Sequence, residues 1–203
     1  MRQRIRVAYA RTGDLRFLSQ LDLVRTWERA VRRSGLPVAF SEGFNPRVRL
    51  SFSAARPTGM EVGQATVDFF LASETPLGEV RRRLASVLPP GLSILEVASG
   101  EGRAPAEGDL QVEIRLADGS AEPPVERTAV SGLLAAGLRE LPGVVRLEWK
   151  PDCVQVQLVS GSGGARLRAV LDALGLSAPG APAVVVRVLA PAGDSQLDPR
   201  RDA

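Results

Sequence analysis

Apolar and polar residues alternate through "RIRVAYAR", with Ile5, Val7 and Tyr9 set against Arg4, Arg6 and Ala8, and this period of two predicts a strand with one buried face. The period then changes. In "SQLDLVRTWERAVRRSG" the residues Leu23, Val24, Trp27, Ala30 and Val31 recur at helical spacing. Ser19 with Asp22 three residues on makes a capping-box start, with Asp in the usual Glu place, and Gly35 stands where a C-terminal cap belongs. A helix of about four turns follows. Alternation returns in "VRLSF", with Val48, Leu50 and Phe52 inward, and again in "TVDFFL", with Val67, Phe69 and Leu71 inward. "PLGEVRRRLASVL" reads as a second helix stopped by Pro89, Pro90 and Gly91, and "LSILEVA" as a closing strand.

The order β-α-β-β-α-β predicts a ferredoxin-like unit, an antiparallel sheet with both helices on one face. It recurs beyond residue 108. "LQVEIRL", "VVRLEW", "CVQVQLV" and "AVVVRVL" read as strands, with helices expected over "RTAVSGLLAAGLREL" and "GARLRAVLDALG". The expected fold class is therefore α+β, with tandem ferredoxin-like units and antiparallel sheets. Its domains are residues 1–98, a linker over 99–108, a second unit over 109–190 and a polar tail over 191–203 that frays.

Composition narrows the chemistry. No run approaches the roughly 18 apolar residues needed to cross a bilayer, and the N-terminus alternates instead of carrying a signal peptide's apolar core, so a cytoplasmic protein without membrane attachment is expected. Cys153 is the single cysteine and histidine is absent. The chain by itself lacks the residues for an iron–sulfur cluster, a Cys-rich zinc site or a histidine acid–base pair, so neither a metal nor a cofactor is expected. Catalysis would rest on carboxylates, hydroxyls, Tyr9, Lys150 or arginines, which weighs against an independent enzyme.

Charge is unevenly placed. Residues 1–60 hold 12 Arg against Asp14, Asp22, Glu28 and Glu42, a net of +8, whereas residues 101–203 hold 11 basic and 14 acidic residues, a net of −3. The first half is thus expected to face a polyanion. Arg25, Arg29, Arg32 and Arg33 share one quadrant of the first helix. Arg4, Arg6, Arg47, Arg49, Asp68 and Phe70 fall on the sheet side opposite the helices, either as an RNA-facing surface or as a face packed on the second domain.

The stretch "FSEGFNPRVRLSF" connects the first helix to the next strand over about twice the usual 2–6 residues, which favours a functional loop. Gly43 allows positive φ, Asn45 before Pro46 is pushed to an extended or turn conformation, and Phe40 and Phe44 are expected to anchor the loop on the domain. The RNA-binding candidates are Arg11, Arg16, Arg25, Arg29, Arg47 and Arg49. Gly43, Phe44, Asn45 and Pro46 shape the loop, and Asp14, Ser19 and Asp22 organise the start of the helix.

At these residues the chain resembles the bacterial radical-SAM-linked family of uncharacterised proteins, found alone or fused behind a B12-binding-type radical-SAM enzyme. The linked pieces "RFLSQLDL", "GLPVAFSEGFNP" and "PTGMEVG" carry the resemblance, which covers residues 3–72. The family has His where this chain has Gln20 and Arg47, and Pro at Val48. The resemblance implies a radical-SAM enzyme as partner, and the family's association with ribosomal-protein and ribonuclease genes implies RNA. The expected function is a non-catalytic accessory protein that binds RNA and presents it to that partner. Two alternatives stand beside it. One is an RNA-modifying enzyme of pseudouridine-synthase type, since "YARTGD" loosely resembles the Asp-bearing segment of those enzymes, with Asp14 as nucleophile and Tyr9 nearby. The other is a pure protein-docking module.

Overall fold

The computed structural model describes residues 2–53, 58–100, 110–116, 144–149, 153–158, 163–173 and 184–188. Over these the chain is a mixed α/β protein with mostly antiparallel sheet and three α-helices. It divides into two compact units, residues 1–106 and 107–203.

In the first unit, strand β1 (Gln3–Arg11) lies in the middle. It pairs antiparallel with β4 (Leu92–Ser99) on one side and with β3 (Met60–Leu71) on the other, and the short β2 (Ser51–Phe52) pairs antiparallel with the far edge of β3. The alternation of β1 is realised: Ile5, Val7 and Tyr9 are buried, as are Val67 and Phe69 across the ladder. The same core takes Leu23, Trp27 and Val31 from helix α1 (Gln20–Arg33) and Val80 and Leu84 from helix α2 (Leu77–Ala85), so both helices cover one face of the sheet. Trp27 is wholly buried, with its ring edge-on to Tyr9 at 5.0 Å between centroids. Fully burying side chains of this size contributes about 1.5–3 kcal/mol each, which is why the apolar stripe of α1, more than its propensity, holds the helix.

The ends of α1 follow from its sequence. Ser19 Oγ accepts the Asp22 N–H at 3.2 Å, satisfying one of the free donors of the first turn. Gly35 takes φ +66° immediately after the helix, a conformation that other residues enter at a cost. Arg83 of α2 donates to the Gly35 carbonyl at 2.7 Å and locks that turn against the second helix.

Three expectations change. The second strand is two residues long rather than the five of "VRLSF", because Val48 pairs back to Phe40 instead of joining the sheet. Strand β3 begins at Met60, well before "TVDFFL", and uses Val62 and Ala65 as further inward residues. The helix within "PLGEVRRRLASVL" ends at Ala85, short of the prolines.

In the second unit, β5 (Leu110–Leu116) pairs antiparallel with β7 (Val154–Leu158) and β8 (Val184–Val188), and β6 (Val144–Trp149) pairs antiparallel with β7. Val112, Ile114, Val154, Val156, Leu158 and Val186 are buried, together with Leu167 and Val170 of helix α3 (Gly163–Ala173). Counted within each unit, the strand order is the same in both: fourth, first, third, second. The helix expected over residues 127–141, most of the linker and the tail over 191–203 lie outside the described residues.

Candidate functional site

The site is built where the chain after α1 pairs with the last residues of β3, on the edge that does not face β1. Val38 faces Leu71, and Ala39 donates to the Phe70 carbonyl at 2.8 Å. Further along the same edge Ser51 faces Asp68 and Phe52 faces Val67. Between Leu71 and Asp68 the strand advances three residues while the facing chain advances thirteen, from Val38 to Ser51, so ten residues leave the ladder and return to it. The odd loop is therefore an excursion from an edge strand.

The excursion is closed at its base. Phe40 and Val48 form a bridge, the Ser41 N–H donates to the Arg47 carbonyl at 2.9 Å, and the Arg47 N–H donates to Ser41 Oγ at 3.0 Å. Gly43 takes φ +118° with open space around it, turning the chain at the tip. Arg32 of α1 braces the flank: its guanidinium lies 5.4 Å from the centre of the Phe40 ring, donates to the Pro46 carbonyl at 3.4 Å, and pairs with Glu28 at 2.9 Å.

Two phenylalanines were expected to anchor this loop, and only Phe40 does so, bridged to Val48 with the Arg32 guanidinium over its ring. Phe44 is fully exposed at the tip. The closure between Phe40 and Val48 leaves too little chain for Phe44 to reach back to the core. Asn45, Pro46, Arg47 and Arg49 are exposed beside it, and Glu42 lies 3.8 Å from Arg2.

The arginine candidates separate. Arg29, Arg47 and Arg49 are exposed and make no ion pair among the described residues, and Arg33 joins them on α1. Arg25 is exposed but held by Asp22 at 3.2 Å. Arg16 lies in a 3-10 turn, Gly13–Phe17, with its guanidinium 4.6 Å from the Phe17 ring centre. Arg11 is a correction: it is 2% exposed and donates to the Leu18 and Met60 carbonyls at 3.4 and 3.3 Å, out of reach of a phosphate. Burial pulls its pKa down, with Tyr9 acting weakly the other way.

The opposite sheet face is not an open cationic surface either. Arg6 grips Asp68 with two hydrogen bonds of 2.9 Å and Arg4 adds a third of 2.6 Å. Asp68 is buried, as are Ala8 and Ala10 on that side of β1. Burial alone would raise the Asp68 carboxyl, but the hydrogen bonds and charges of Arg6 and Arg4 outweigh it and hold it below the usual carboxylate range. The same hydrogen bonds raise Arg6. The residue types and their shared face were visible in the sequence, whereas the register that joins them was not.

Among the helix-start residues, Ser19 Oγ donates to Asp22 at 2.7 Å while accepting its N–H, and this hydrogen bond lowers the Asp22 carboxyl against desolvation, with the contacts of Arg25 and the charge of Arg29 adding to the lowering. Gln20 is the first residue of α1. Asp14 lies exposed in the 3-10 turn, whereas Tyr9 is in the core beneath α1. Among the described residues no group of His, Cys, Asp and Glu is arranged to hold a metal ion, and no helix is long and apolar enough to cross a membrane.

Fold and site together define a two-unit α/β protein that carries an arginine-flanked aromatic loop on a sheet edge. The chain belongs to DUF2344, a family of uncharacterised proteins conserved in bacteria, whose family model matches residues 4–115. That span runs from β1 through almost all of β5 and includes the whole excursion. No curated protein matches the chain.

Proposed function

We propose that this protein is a non-catalytic accessory factor that binds RNA on the surface formed by α1 and the 40–50 excursion, and presents it to a radical-SAM partner enzyme. The observation that carries the reading is the exposed pair Arg47 and Arg49 on the same hydrogen-bonded excursion as a fully exposed Phe44. Cations and a ring on one preformed surface are what RNA recognition uses, phosphate contact for affinity and ring contact for unpaired bases. The partner comes from the resemblance of "RFLSQLDL" and "GLPVAFSEGFNP" to radical-SAM-linked proteins. The matching strand order of the two units and the placement of α1 and α2 on one face support the finer reading that each unit is ferredoxin-like.

The test is RNA affinity against salt. Each phosphate contact with a single strand contributes about 0.7 to the slope of log affinity against log salt, so replacing Arg47 and Arg49 with Gln should flatten the slope by about 1.4. A folded double variant with unchanged affinity and slope refutes this surface. A wild-type protein that binds no RNA even at low salt refutes the RNA reading.

A further inference from the structure

We propose that Phe44 is a stacking platform for one unpaired base, which makes the excursion selective for single-stranded RNA over duplex; the inference rests on the RNA-binding reading above. A fully exposed aromatic ring leaves both of its faces open to a flat partner. Here it is held out by construction. The Phe40–Val48 bridge, the two Ser41–Arg47 hydrogen bonds and the Arg32 brace on Pro46 fix the stem of the loop, so a ligand meets a largely preformed platform.

The neighbours of the ring point to its occupant. A protein-docking site is a contiguous apolar patch in which several side chains become buried. Along the excursion the exposed residues besides Phe44 are Glu42, Gly43, Asn45, Pro46, Arg47 and Arg49, with Phe40 partly exposed under the Arg32 guanidinium, so Phe44 is the one fully exposed ring and polar and charged groups flank it. Glu42, the acid at the tip, is partly countered by Arg2. One ring covers the face of one base, stacking tolerates any base identity, and nearby arginines take the flanking phosphates. Bases inside a duplex are already stacked on one another and cannot accept a ring inserted from a loop without being opened.

The probes are a fluorescently labelled oligouridylate of about ten nucleotides, within the site size of small single-strand binders, and an RNA duplex of similar length. Binding to the full chain is followed by anisotropy at low salt. Phe44→Ala should weaken oligouridylate binding roughly 5- to 150-fold, the range that loss of one stacked base produces, and leave duplex binding unchanged. Phe44→Trp should retain or improve binding. Oligouridylate carrying 5-iodouridine should photocrosslink at residue 44. The circular dichroism spectrum and melting temperature of Phe44→Ala should match the wild type, since the ring is fully exposed.

The outcomes separate the two levels. If Phe44→Ala binds oligouridylate within twofold of wild type while the Arg47 and Arg49 double variant binds weakly, the platform is overturned and the RNA reading stands. If Phe44→Ala weakens duplex and single strand equally, the ring does not select unpaired bases and the inference fails. If the wild type binds neither probe, the RNA reading fails and takes the inference with it.

Discussion

Asp68 gives the sharpest energetic test of the first unit, because one buried carboxylate holds two arginines. Changing Asp68 to Asn keeps the shape and one acceptor oxygen but removes the charge that Arg4 and Arg6 share. The two guanidinium groups then lose the carboxylate they share. Breaking a buried ion pair by removing one partner costs about 3–5 kcal/mol. Here Arg4 and Arg6 retain 26% and 18% of their side-chain exposure, so water relieves part of the penalty, and we expect a loss of about 3 kcal/mol. With an m-value of about 1.5 kcal/mol/M in urea, the unfolding midpoint should fall by about 2 M.

The assay is urea unfolding followed by fluorescence in a Trp149→Phe background, so that Trp27, buried in the first unit, is the only reporter and the second unit does not blur the transition. The pH dependence gives an independent check. Asp68 has a folded pKa below its unfolded value, so its stabilisation is fully present above the unfolded value of about 4 and is lost as pH falls through the folded one. Asn does not titrate. The gap between wild type and variant should be constant from pH 7 to 5 and should narrow below pH 4. A gap under about 0.5 kcal/mol at pH 7, or one that does not narrow in acid, refutes the reasoning.

Two glycines with positive φ should respond differently to Ala. At Gly91 a new Cβ would lie 2.7 Å from the Thr12 carbonyl oxygen, so unfolding experiments should show a loss of about 2 kcal/mol or more, whereas at Gly43 nothing lies within 4 Å and only the backbone cost of about 1 kcal/mol applies. Equal effects at the two sites would contradict the packing around Thr12. Ser19→Ala should cost about 1 kcal/mol by removing the cap of α1. It should also let the Asp22 carboxyl rise towards its ordinary value in an NMR titration, since the Ser19 hydrogen bond is the largest cause of its lowering.

Much of the first unit was legible because its periods are clean. Ile5, Val7 and Tyr9 alternate, the α1 stripe recurs at helical spacing, and Ser19 and Gly35 mark the ends of that helix, each a local signal with a local cause. What was not legible depends on register and on competition between signals. Arg4, Arg6 and Asp68 share a face by parity, but only the pairing of β1 with β3 sets Arg6 opposite Asp68. Arg11 closes a run in which every residue of β1 from Val7 onward is buried, so parity does not mark its burial, and its charge led the reading the other way. Phe44 is the converse: apolarity argued for an anchor, but closure of the chain between Phe40 and Val48 decided the outcome.

The division of arginines also limits the electrostatics of RNA binding. The net charge of +8 over residues 1–60 would allow a salt slope near 5.6 if each excess charge met one phosphate at about 0.7 per contact. Many of those charges are already engaged. Asp68 holds Arg4 and Arg6, Asp22 holds Arg25, Glu28 holds Arg32, Glu42 draws Arg2, and Arg11 is buried. Arg29, Arg33, Arg47 and Arg49 are left as exposed cations of α1 and the excursion without an ion pair among the described residues. Four contacts give a slope of about 2.8, half of which belongs to Arg47 and Arg49. A measured slope near 3 that halves in the double variant is therefore the expected result, and a slope above 5 would mean that RNA also engages arginines assigned here to the fold.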